Sequence, residues 1–494
     1  MGAGIPRAKT PTEDDAMKAG AWVAAAAAAI GLTASGIAGA QSAAERAVEA
    51  AKQYAGAEIS IVWEAGLQSL DPLNFSGPKW EELTGIKVKV IEVPTSEMFT
   101  KILQEHRAGT GAYDALNVIP SWMPDLVKAG ALEELDPYVD QYGYRAELDN
   151  IAPTYRDNQM KVDGKIYGFP DDGDLFVLYY RKDLFEDPEN QAAFRAKHGY
   201  DLGPPQTWAQ YADIGQFITD KYAPEIYGAG QFRQPAYGIW MFEERYRVEG
   251  GRFFDPETMR AQINNAIGVK AFEGMRSDNA FMPPGVETWG FVEALSSLLA
   301  GDIAMTISWP PFGRWAAGYG TEEEALSWVP KSTIAGKVGY ALPPGGTPQL
   351  AAGFSLSVAS GSKNKEAAYL FIQWLNSEET SLQRVQLPYA LRDPFRESHF
   401  TDEEYLSRWA DADKYLSTLR AGADTGLLDL SILQIDKYEE ALRQSMTRLW
   451  AGEDAKAILD DVAGQWDALT DRIGVDRQRD AYQDWAGKPN AYPK

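Results

Sequence analysis

An α/β protein of two lobes, with a helix-rich C-terminal part, is what the sequence predicts, and three observations carry the prediction. The first is length: 494 residues, 45% of them hydrophobic, exceed what one compact core accommodates and suffice for two. The second is periodicity. In the N-terminal third, short β-branched runs alternate with helical stretches, the pattern of a largely parallel sheet. The third is the chain beyond about Phe395, where helical spacing takes over.

The elements follow in order. Residues 1–40 read as an export leader: Lys18, an apolar run over 21–30, then small residues closing on Ala38-Gly39-Ala40, so that cleavage leaves Gln41 first. The run is too short and too rich in Ala to span a bilayer. The acidic Glu13-Asp14-Asp15 is unusual for a leader, and initiation at Met17 removes it. Residues 42–54 read as a short helix and 58–63 (EISIVW) as a buried strand. A helix around 79–83 stops at Gly85, and 87–93 alternates as a strand. Thr95 or Ser96 caps a helix carrying Met98, Ile102 and Leu103 on one face. Residues 114–119 form another strand, and the helix after it ends near Gly130. Asp163-Gly164 predicts a tight hairpin turn, with strands over 166–170 and 175–180 beyond it. Helices are expected over 207–222, 266–275, 287–299 and 363–376, a strand over 303–308, and a loop at LPPGGTP, residues 342–348.

Composition excludes several functions. A net charge of -24 argues against nucleic acid, which needs clustered Lys and Arg. With no cysteine there is no disulfide, thiolate zinc site, Cys nucleophile or lipidated Cys. Three widely spaced His (His106, His198, His399) make no metal site, so neither a cofactor nor a resident metal is expected. A leader without a lipid anchor implies free diffusion in a periplasm, and the chain is expected to act as a monomer.

Candidate ligand contacts lie just after predicted strands, where open α/β sheets bind ligands. They are Trp63 and Glu64, Ser121 and Trp122, Asp171, Asp172 and Asp174 of the DDGD run, Trp309, and Gly353-Phe354, with Trp240 added from the helical middle of the chain. The mixture suits a sugar: C–H faces pack on aromatic rings, and carboxylates accept hydrogen bonds from hydroxyls. Each has a plainer reading, since most of 15 Trp serve packing and DDGD is also a solvated turn. Arg314, just past Trp309, leaves an acidic sugar open but reads as a surface helix residue.

Four stretches resemble, in the right order, the family 1 extracellular solute-binding proteins of ABC importers, the group related to maltose-binding protein. GKIYGFPDDGDLFVLYYRKDLF (164–185) is similar to the family's lobe-crossing segment, and PPQTWAQYADIGQFI to its Pro-x-Thr-Trp helix start at Pro205, Thr207 and Trp208. LLAGDIAMTISW (298–309) resembles its Gly-x-x-Ala-Met pattern ahead of a ligand-side Trp, and GSKNKEAAYLFIQWL (361–375) its Lys-x-x-Ala-x-x-Phe-x-x-Trp-Leu helix. By position, the resemblance makes Asp174 an acidic ligand contact, sets Trp309 to Pro311 beside a stacking aromatic, and makes 64–68 a contact loop. Pro310-Pro311 departs from the family's usual Gly. The implied fold is the type II periplasmic binding protein fold, with discontinuous lobes over 57–170 plus 350–395 and 171–349 plus 396–494. Crossings near Pro170, Leu350 and Phe395 would form the hinge. The implied partners are a small polar ligand, most simply a sugar or polyol, and the permease subunits of the importer; the chain is not expected to be an enzyme. Two other readings stand beside it: a binding protein for a cationic amine, and a secreted glycoside hydrolase using paired carboxylates such as Asp171 and Asp174.

Overall fold

The computed structural model describes residues 41–350 and 353–493, so the predicted leader lies outside the described residues. Ten strands occur among the latter: β1 (Glu58–Glu64), β2 (Lys87–Val93), β3 (Ala115–Val118), β4 (Lys161–Val162), β5 (Lys165–Ile166), β6 (Phe169–Asp172), β7 (Val177–Arg181), β8 (Met305–Ser308), β9 (Val338–Ala341) and β10 (Phe354–Val358). They form two main sheets. The first runs β2-β1-β3-β10-β6 and the second β8-β7-β9, while β4 and β5 make a small hairpin. Asp163 and Gly164 in that hairpin turn have φ of 50° and 77°, the conformation a two-residue turn of this kind requires.

β1 pairs in parallel with β2 and β3, whereas β10 runs antiparallel to β3 and β6. The second sheet is antiparallel throughout. The predicted parallel pattern therefore holds for the three strands that alternate with helices. It fails where strands return from elsewhere in the chain, which sequence periodicity does not register. The chain leaves the first sheet after Asp172 and enters the second at Val177; it leaves the second at Ala341 and re-enters the first at Phe354. Around Asp393 a third segment runs against the first of these crossings. Gly173 donates its N–H to the Asp393 carbonyl at 3.0 Å, and Asp393 donates its own to Asp172 Oδ1 at 2.8 Å. A Cβ on Gly173 would sit 2.1 Å from the Pro394 carbonyl oxygen, so only glycine lets the two segments touch.

Helix signals performed as their chemistry dictates. Ser42 and Glu45 make a reciprocal capping box on the helix Ala43–Ala51, and Thr207 caps Trp208–Tyr222 through Gln210 N–H. Gly85, at φ 75°, ends Gly77–Thr84. Thr95 differs from expectation. It is the first residue of the helix Thr95–Ala108, preceded by Pro94, and its hydroxyl donates to Glu64 in place of capping. The predicted 166–170 strand splits into β5 and β6, and the helix expected over 287–299 starts at Phe291 because Gly290 supplies its N-cap. Beyond Phe395 the chain is helical, with Ala412–Thr425, Ile435–Trp450, Ala455–Ile473 and Val475–Ala486 as its main helices.

Candidate functional site

A cavity of about 730 Å³ lies among the carboxyl ends of β1, β3, β6 and β8, the start of β10, and the helix Ile435–Trp450. Its size falls in the range of small-molecule sites. From the first sheet it receives Glu64, Gln68, Ser121, Trp122 and Phe354, with Phe99 from the helix after β2. From the other side come Tyr237, Trp240, Phe291 and Trp309. Asp174 and Asp393 enter from the crossing segments, and Asp429, Asp436, Lys437, Glu439, Glu440 and Arg443 close the far end.

Of the residues expected from sequence, Glu64, Ser121, Trp122, Asp174, Trp240, Trp309 and Phe354 line this space. Trp63, Asp171, Asp172 and Gly353 do not. Trp63 is fully buried with the Arg392 guanidinium 5.4 Å from its ring centre. Successive strand residues point to opposite faces, so Trp63 and Glu64 do not share one wall. Asp171 is held by Arg384 at 2.7 Å, Arg392 at 3.1 Å and Asn117 at 3.0 Å. Asp172 is held by Arg392 at 3.3 Å and by Asp393 N–H. DDGD is thus no solvated turn; two of its carboxylates anchor buried arginines. Gly353, at φ 63°, acts indirectly by donating its N–H to Asp174 at 3.2 Å. Arg314 is fully buried, contrary to the surface position expected, with Nη2 3.2 Å from Asp393.

Trp309 sits at the centre of an aromatic cluster. Phe176, Phe232, Tyr237, Trp240 and Phe291 have ring centres 5.1, 5.3, 5.9, 5.6 and 6.3 Å from it. Only 8% of it is exposed, so it backs the wall whose accessible rings are Tyr237 and Trp240, both half-buried. Across the cavity, Phe99 and Trp122 pack 5.7 Å apart. Apolar ring faces therefore approach from both sides.

The carboxylates are held unevenly. Glu64 takes the Thr95 hydroxyl, and burial lifts its pKa against the pull of that bond and of Arg392. Burial lifts Asp172, Asp174 and Asp393 as well; neighbouring carboxylates add to this for Asp172 and Asp174, while Arg314 and Arg392 oppose it at Asp393. At the far end burial raises Glu439 to about 7 although Arg443 stands 2.5 Å away. One oxygen from each of Asp172, Asp174 and Asp393 lies within 4.8 Å of the others. Guanidinium cations already stand against two of the three, Arg392 on Asp172 and Arg314 on Asp393.

Asp393 and the charged end of Ile435–Trp450 were not foreseen. Asp393 arrives on a segment without strand periodicity, and its only sequence mark is a charged pair, Arg392-Asp393, between Leu391 and Pro394. The helix reads as an ordinary amphipathic surface helix, and only the packing of its start on the β3 loop brings it here. Ser431 donates to the Ser121 carbonyl at 3.0 Å and Gln434 N–H to Asp125 at 2.5 Å.

Two sheets joined by three passages of chain, with a cavity at their strand ends, define the class: a two-lobed periplasmic binding protein fold. The solved structure of an ABC transporter solute-binding protein from Agrobacterium radiobacter K84 in complex with ribitol superposes with a TM-score of 0.68 over 84% of this chain and 99% of that one, at 23% identity. Maltose-bound T. maritima MalE3 gives 0.67 over 84% and 100%, at 22% identity. Residues 65–381 match the bacterial extracellular solute-binding protein family, and the chain belongs to it. A probable ABC transporter-binding protein of Deinococcus radiodurans is 29% identical over 354 residues, covering 69% of this chain and 78% of that one. Proteins of this family bind small ligands outside the cell for the permease subunits of ABC importers and are not enzymes, which removes the hydrolase reading. Among the described residues no helix is long and apolar enough to cross a membrane.

Proposed function

We propose that this protein captures a sugar or polyol in the periplasm and delivers it to its importer. One observation carries the reading: aromatic faces from both sides of the cavity (Phe99 and Trp122; Tyr237 and Trp240) flank buried carboxylates at its floor. That is the chemistry of a hydroxylated ligand, with C–H faces stacked and hydroxyls, which both donate and accept, bonded to Glu64, Asp174 and Asp393. Ribitol and maltose in the structures of similar fold support the ligand class.

The lobes would comprise about 57–170 plus 350–395 and 171–349 plus 396–494. Ligand would bring them together about the crossings, in proportion to its preference for the closed form. The leader over 1–40 would be removed near Gln41, releasing a monomer into the periplasm. Calorimetry of the purified chain against pentitols, hexitols, hexoses and maltose tests the ligand class. Expected is a dissociation constant at or below the micromolar range for at least one of them; no heat from any refutes the reading. N-terminal sequencing of the native periplasmic protein should begin near Gln41, and an intact residue 1 refutes the leader.

A further inference from the structure

Charge is out of balance beneath this cavity. Asp71, Asp171, Asp172, Asp174 and Asp393 are all buried, and three guanidiniums, Arg314, Arg384 and Arg392, face these five carboxylates. Arg384 is taken by Asp71 and Asp171, while Arg392 is divided among Asp71, Asp171 and Asp172. Arg314 reaches one oxygen of Asp393. That leaves Asp174, whose donor from the chain is the N–H of Gly353. It also leaves the other oxygen of Asp393, which has the Asp174 carboxyl beside it, so that a proton shared between the two acids is its donor, although only 1% of the residue is exposed. Both residues line the cavity, and so does Glu64, which has a hydroxyl and no guanidinium within bonding distance.

Buried carboxylates this close do not all ionise without a counter-cation. With the cavity empty of one, Asp172, Asp174 and Asp393 are pushed toward their protonated forms by burial. A neutral polyol would then meet protonated acids and forgo the charge-assisted bonds that make carboxylates useful to a sugar site. An ammonium group removes the conflict. It donates three hydrogen bonds, supplies the missing charge, and fits a wall of Tyr and Trp rings.

We infer that the ligand carries an amine beside its hydroxyls, an aminated sugar or amino-polyol whose ammonium lies between Asp174 and Asp393. This rests on the sugar or polyol reading and narrows it. On binding, the ammonium replaces a proton held by the carboxylates, and that proton passes to solvent.

The phenols packed around the carboxylates do not titrate in the same range, whereas Glu439, at the far end of the cavity, is raised to about 7. Tyr155 and Tyr179, which approach from neighbouring elements, are held well above the usual phenol range by burial. Tyr415 is raised likewise, and Tyr405 to about 12, both beside Arg314. Proton release that Asp174→Asn abolishes therefore reports on the cluster of Asp172, Asp174 and Asp393 and not on Glu439.

Calorimetry with matched pairs tests this: glucosamine against glucose, galactosamine against galactose, and 1-amino-1-deoxysorbitol against sorbitol. Each is run at pH 7.0 in two buffers of different ionisation enthalpy, and again at pH 5.5. At least one amine should bind tenfold or more tighter than its neutral partner. Its heat should differ between buffers in the sense of proton release, and its affinity should fall severalfold at pH 5.5. Asp174→Asn should erase most of the preference. Neutral members binding as tightly as the amines, with no proton released, overturn the inference and leave the sugar reading standing. Tight binding of putrescine or betaine with none of the sugars overturns both. Micromolar calcium raising the melting temperature would assign the carboxylates to a metal and overturn it too. If no member of any pair binds, the inference fails, and the sugar reading is decided by the pentitols and maltose.

Discussion

Arg384 gives the sharpest test of how the binding floor is held. Its Nε and Nη2 lie 2.8 and 2.5 Å from Asp71 Oδ2, and its Nη1 lies 2.7 Å from Asp171 Oδ1, with at most 1% of any of the three residues exposed. Arg384→Met keeps most of the volume and removes the charge. Asp171 retains Arg392 at 3.1 Å and Asn117 at 3.0 Å. Asp71 retains only Arg392 at 3.7 Å, beyond hydrogen-bond range, and its Oδ1 already has no partner. The cost is that of stranding one buried carboxylate, about 3–5 kcal/mol. Asp71→Leu in the same background removes the stranded charge and should restore about 2 kcal/mol or more, a coupling read directly from the double-mutant cycle. Urea unfolding followed by circular dichroism measures both. A single-variant loss under about 1 kcal/mol, or strictly additive effects, refutes the claim that this network bears on stability.

The remaining predictions concern the cavity wall and pH. Trp240→Ala should weaken binding of the ligand found by screening by about 2 kcal/mol, roughly thirtyfold, with a native circular dichroism spectrum; unchanged affinity would make Trp240 packing alone. Trp309→Ala should instead destabilise the fold by about 3–5 kcal/mol, because five aromatic rings close around it, and a melting temperature equal to wild type would contradict that placement. His399 is fully buried between Ser381 and the Phe395 N–H, and burial, helped by Arg396 and Arg384, holds its pKa well below 6.5. A base whose folded pKa is depressed contributes stability above its unfolded value and loses it as pH falls below about 6.5. Wild type should therefore lose stability between pH 6.5 and 5 relative to His399→Gln; parallel pH profiles refute the assignment.

Local chemistry was legible wherever it decides local structure. Ser42, Thr207, Gly85 and Asp163-Gly164 each dictate a cap or turn that neighbouring residues cannot override, and each stands where expected. Strand-end placement likewise brought Glu64, Ser121, Trp122, Asp174 and Trp309 to one cavity. What the sequence hid depends on contacts made across long stretches of chain. Nothing near Asp171 announces Arg384, 213 positions away, so a buried ion-pair partner reads as a turn acid. Arg314 misled in the same way, since Val385, Ala390 and Asp393 supply its partners. Trp63 was misplaced for another reason: the alternation of β1 already separates it from Glu64.

The same long-range contacts join the cavity to the passages between the sheets. Asp174 follows directly on the segment in which Gly173 and Asp172 are bonded to Asp393, so an acid that lines the cavity is built on the passage between sheets. Asp393 lines the cavity, with one face on that passage, one oxygen on Arg314 and the Asp174 carboxyl beside it. A donor arriving from the ligand therefore acts on groups whose positions are set by the crossings, and any shift of the crossings moves the acceptors. Ser431 and Gln434 touch Ser121 and Asp125 beside another crossing, since Ser121 and Ser431 line a small cavity with Leu350, and the neighbouring Gln349 bonds Asp429. The start of the helix Ile435–Trp450 is therefore also tied to a passage between the sheets. A ligand reaching from Asp174 to that helix would bear on two crossings at once, and a shorter one on the first alone.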